Sequence, residues 1–149
     1  MTDIRLKRPF RQVDLGFLAL ALVLGTLAIF TGDDAILAVA FLAFLLGTST
    51  DVVSTGLERF TGGAIGSADD IDEDTGWLIG KLENVLVLVL VLVGEWVALS
   101  IVFAAKSIVR REDLSSANTT YYLAGTLLNF TYSIVIGMVA RWAIGGALV

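Results

Sequence analysis

Between Gly76 and Arg111 the chain reads GWLIGKLENVLVLVLVLVGEWVALSIVFAAKSIVRR, and its centre, Val85 to Ala105, carries a single charge, Glu95. A helix rises about 1.5 Å per residue, so these roughly 21 residues would cover about 30 Å, the thickness of a bilayer's hydrocarbon core. Lys81 and Glu83 precede the run, and Lys106, Arg110 and Arg111 follow it. The stretch predicts a membrane-spanning helix with one carboxylate inside it. The Val/Leu alternation from Val85 to Val93 does not argue for a strand. Both residue types are apolar, so no inward/outward pattern results.

Three further apolar runs accompany this one. Leu15 to Phe30 is extended by Val13 and Thr31, and basic residues before it (Arg5, Lys7, Arg8, Arg11) favour a cytoplasmic N-terminus. A cleaved signal peptide is the rival reading, but no small-x-small cleavage site follows Phe30. Thr31-Gly32-Asp33-Asp34 reads as a tight turn in which Asp33 or Asp34 caps the next helix. Ala35 to Val53 is the second span, polar towards its end through Thr48, Ser49, Thr50 and Asp51. Tyr121 to Trp142 is the last, with Tyr121 and Tyr122 at one end and Trp142 at the other as interface belts. The expected architecture is all-α: an integral membrane bundle of four transmembrane helices in two hairpins, spanning about 13–31, 35–53, 77–105 and 121–142. An acidic loop, 61–75, joins the hairpins. Asp70, Asp72 and Asp74 resemble the start of a calcium loop, but Thr75 and Lys81 stand where glycine and glutamate are required.

Composition narrows the chemistry. With no Cys and no His, thiolate sites, Cys nucleophiles and Ser-His-Asp catalysis are excluded, and no metal site, catalytic residue or cofactor is expected. A net charge of −5 lacks the basic face that nucleic acid requires. The expected partners are membrane lipids, together with a second copy or a membrane partner.

Under four spans with the N-terminus inside, the C-terminus is also inside, while Lys106, Arg110 and Arg111 lie outside against the positive-inside tendency. Aligning Ala105 with Tyr121 as an antiparallel pair sets Glu95 about 15 Å deep, near Asn129 and Tyr132. The same alignment puts Glu83 beside Arg141 as an ion pair, with Lys81 adjacent. Asp51 reads as an interfacial carboxylate or as an ion ligand with its hydroxyl neighbours. Lys106 and Arg110, four residues apart, read as contacts to lipid headgroups or an anion. Gly125, Asn129, Ser133, Gly137 and Arg141 recur at a spacing of four, a ridge expected to face the third span or another subunit.

Ile79-Gly80-Lys81-Leu82-Glu83, Gly94-Glu95-Trp96, Ala104-Ala105-Lys106-Ser107-Ile108 with Arg110, and Gly125-Thr126-Leu127-Leu128 give the second half of the chain a resemblance to the membrane family called domain of unknown function 3307. The first half does not match, and lacks the histidines of that family's N-terminal spans. The resemblance implies a multi-pass membrane protein and carries no biochemistry with it.

Three functional classes stay open. The first is a non-catalytic structural or regulatory component of the cell membrane. The second is a small oligomeric proton- or cation-coupled transporter or channel that uses Glu95. The third is a membrane-embedded enzyme, for which the sequence offers no nucleophile–base set and no metal cluster.

Overall fold

The computed structural model describes residues 8–61, 73–112 and 119–145, and within them the chain is all-α, with five helices. These are α1 (Arg8–Thr31), α2 (Asp34–Thr61), α3 (Glu73–Val93), α4 (Trp96–Glu112) and α5 (Thr119–Ala143). Four of them, α1, α2, α3 and α5, are long and apolar enough to cross a membrane. The Asp70 and Asp72 part of the acidic loop lies outside the described residues, as does most of the connection between α4 and α5.

The α1–α2 hairpin follows from its turn chemistry. Gly32 takes φ +66°, which a side chain disfavours, and ends α1 with its N–H on Ala28 O. Asp33 Oδ1 then accepts from the N–H groups of Ala35 (2.8 Å) and Ile36 (3.3 Å), so Asp33 is the cap of α2. Gly47 lets the two helices close: a Cβ there would lie 3.0 Å from the Asp14 carbonyl oxygen and 2.8 Å from Leu18 Cγ.

The expected continuous helix over 77–105 is broken at Gly94. Gly94 takes φ +84°, and its N–H and that of Glu95 both return to Leu90 O, at 3.0 and 2.9 Å. That is a left-handed helix stop of Schellman type. The Glu95 carbonyl accepts from Leu99 N (3.0 Å), so Glu95 opens α4 instead of sitting mid-span, and its carboxylate stands beside that helix's positive end. Apolar periodicity cannot reveal such a break, because Val and Leu continue on both sides of it.

α4 folds back along α3. Lys106 pairs with Glu83, and Leu99 packs with Val87, Val91 and Phe130 in one cluster. The reversal changes the direction of everything after it. α5 runs parallel to α3, with Ser133 at Asn84 and Gly137 at Val91. It runs antiparallel to α2, with Gly125 against Leu57 and Tyr132 against Thr48. The spaced ridge on α5 thus meets α3 at Ser133, Gly137 and Arg141, and α2 at Gly125.

Polar and charged groups join the apolar core, and large apolar side chains stand outside. Asp14, Ser49, Lys81, Asn84 and Ser133 are buried, while Leu22, Ile29, Phe30 and Val97 are each more than two-thirds exposed. Water would penalise both choices; lipid favours the second and forces the first to find partners.

Gly94 and Gly80 provide a paired test. Gly94→Ala forces a Cβ into left-handed backbone, at a cost of about 1–2 kcal/mol. It also brings that Cβ to 2.7 Å from an Arg141 guanidinium nitrogen. Gly80→Ala meets nothing within 4 Å. Thermal unfolding in detergent is expected to show a clear loss for the first and no loss for the second.

Candidate functional site

Lys81 is the centre of the polar interior. It sits on α3, 7% exposed, and faces α1 and α2. Its ammonium group has three N–H bonds to place. The acceptors all belong to α2: Leu46 O, Ser49 Oγ at 3.2 Å and Thr50 Oγ1 at 2.9 Å. The Trp77 ring, one turn back on α3, lies 5.4 Å from Nζ and adds a cation–π contact. Charge balance comes from α1: Asp14 Oδ1 is 2.9 Å from Nζ, with both side chains more than nine-tenths buried. That oxygen accepts no conventional hydrogen bond, so the ion contact is its single described polar interaction. The site joins three helices through one cation.

Sequence reasoning placed Lys81 near an ion pair but chose the wrong partner set, and it missed Asp14. The available signal was a lone carboxylate between Val13 and Leu15, at the edge of an apolar run. A charge in that position needs an interior partner.

Other polar contacts continue from Lys81 along α3. Asn84 is one turn further, and Ser133 Oγ lies 2.8 Å from both Asn84 Oδ1 and the Asn129 carbonyl oxygen. Tyr132 OH meets Thr48 Oγ1 at 2.7 Å. Tyr132 therefore serves the α2–α5 interface, Asn129 accepts through its backbone within α5, and no described contact joins either to Glu95. Beyond Asn84 the interface turns dry, through Val87, Leu88 and Val91.

The expected Glu83–Arg141 ion pair is not formed. It assumed that α5 runs antiparallel to a single long third helix, whereas α4 intervenes. Glu83 pairs with Lys106 instead. Arg141 lies at the other end of α3 and donates from Nη1 to Val91 O (3.2 Å), one of the carbonyls left open where α3 stops. Lys106 is half-buried and sits 5.5 Å from the Phe130 ring centroid. Glu95 is exposed at the α3–α4 turn, and Asp51 is exposed on α2, close enough to act electrostatically on Lys81. The Arg110 side chain lies outside the described residues.

Two clefts among the described residues are predominantly apolar. One, of about 330 Å³, lies between α4 and α5 along Phe103, Leu127 and Phe130. The other, of about 430 Å³, lies between α1 and α2 along Leu22, Gly25 and Phe41. Neither is lined by Lys81 or Asp14. Comparison with protein-family models, with curated proteins and with solved structures finds no match.

Removing one member of a buried pair is expected to cost more than removing both. Lys81→Met should destabilise by about 3–5 kcal/mol because Asp14 is left without its counter-charge. Adding Asp14→Leu should recover much of that loss. Reversible unfolding in mixed micelles of both single variants and the double variant measures the coupling.

Proposed function

We propose that this protein is a non-catalytic, multi-pass component of the cell membrane, structural or regulatory in role. The observation that carries the reading is the treatment of its buried charge. Lys81 spends its donors on α2 and its charge on Asp14, and neither cleft reaches it. A cation held this way fastens helices and is not free to take cargo. The position of Glu95, exposed where α4 begins, supports the same choice over transport through that carboxylate. Purified protein in proteoliposomes is expected to show no proton or cation flux that Glu95→Gln abolishes. Flux lost in that variant, with assembly intact, would reverse the assignment.

The same reading sets the chain with its N-terminus in the cytoplasm and its C-terminus outside, with α4 as a fifth, shorter pass. Helix direction supports this. The start of α1, the end of α2, the start of α3 and the end of α4 share one end of the bundle. Among the Lys and Arg residues of the described helices, Arg141 alone belongs to the opposite end. The cluster Lys106, Arg110 and Arg111, which conflicts with charge bias in a four-pass chain, agrees with it here. Trp96 and Trp142, both exposed near the end of the bundle that carries Arg141, suit an interface belt.

The chain has no cysteine, so single cysteines report sidedness without background. In intact cells, cysteines at Asp33 and Glu95 are expected to react with an impermeant maleimide. Cysteines at Thr2, Ser67 and Ser116 are expected to react only after permeabilisation. Labelling of Ser116→Cys from outside would return α4 to a non-crossing role.

A further inference from the structure

We propose that the Asp14–Lys81 contact is an acid-releasable latch that holds α1 against α3. Three features of the site support this. α1 packs along α2 and makes no other extended contact with α3 among the described residues. The link between them is the 2.9 Å ion contact. Lys81 keeps three hydrogen bonds to α2 that do not depend on Asp14. The joint between α1 and α3 is thus made by charge, whereas the joint between α2 and α3 is made by hydrogen bonds.

A proton taken from water onto the Asp14 carboxylate gives a neutral acid and removes the counter-charge. Lys81 is then a buried cation with no anion in contact, an arrangement costly enough to draw water in. Nζ is walled by α2, by the Trp77 ring of α3 and by α1, and α1 is the wall whose tie to α3 the proton removes. Proton access is short: Asp14 lies one turn from exposed Arg11, at the start of the α1 span. Among the described residues, few charged or titratable groups face the pair. α1 contributes Asp14 itself, α3 contributes Lys81, and α2 contributes Asp51 at longer range. Next along α3, Glu83 is committed to Lys106 of α4, and α5 presents near this level Ser133 at Asn84 and the Tyr132 hydroxyl, held by Thr48.

The latch deepens the regulatory reading, giving that reading a stimulus and a moving part. Its test reads distance and not flux, so a failure of either can be told from a failure of the other. Full-length protein in lipid nanodiscs is spin-labelled at Gln12→Cys on α1 and Leu82→Cys on α3, both exposed positions. On going from neutral to acidic pH the distance distribution is expected to lengthen and broaden. Asp14→Asn should show the long, broad distribution at both pH values, and Asp14→Glu should restore the pH response. A distribution unchanged by acid overturns the latch, because it means that the proton is shared within the pair without motion. A response that persists in Asp14→Asn overturns it as well, by assigning the titration to another group.

Discussion

The left-handed stop at Gly94 decides how the second half of this protein is arranged. A single residue at positive φ ends α3, and the next opens α4 in the reverse direction. From that reversal follow the pairing of Lys106 with Glu83, the parallel course of α3 and α5, and the arrival of Arg141 at the open carbonyls of α3. A helix continuing through Gly94 would have left α5 antiparallel to α3 and Arg141 beside Glu83. Backbone geometry at one glycine therefore chooses among side-chain partners many residues away.

A second constraint comes from the solvent that the outer surface implies. Apolar residues cover the outside, so the few polar groups inside must satisfy one another. They do so in a graded way. Near the basic end the interior holds an ion pair and hydroxyls; towards the middle it holds the Asn84–Ser133 contact; beyond that it is valine, leucine and glycine. The close approaches at Gly47 and Gly137 bring the helices near enough for these contacts to form. The small residues and the polar groups are parts of one arrangement: Gly47 closes α2 on α1 beside Asp14, and Gly137 closes α5 on α3 one turn from Ser133.

This arrangement bears directly on function. Charged residues inside apolar helices invite a transport reading, and Glu95 was the natural candidate. The structure moves that carboxylate to a turn and draws attention to Lys81, which the fold has already provided with partners. Of its attachments, the contact with Asp14 is the one that ties α1 to α3.

What the residues determined by themselves was the class: all-α, with apolar helices of membrane-spanning length, the tight turn at Gly32-Asp33, and the absence of Cys- and His-based chemistry. These depend on local composition, length and turn propensity, which a linear reading captures. The tertiary structure alone decided where Val85–Ala105 breaks, which way α5 runs, and that Lys81 belongs to Asp14. Partner choice depends on helix direction and rotation. In a chain whose helices are apolar on nearly every face, no amphipathic pattern records either one.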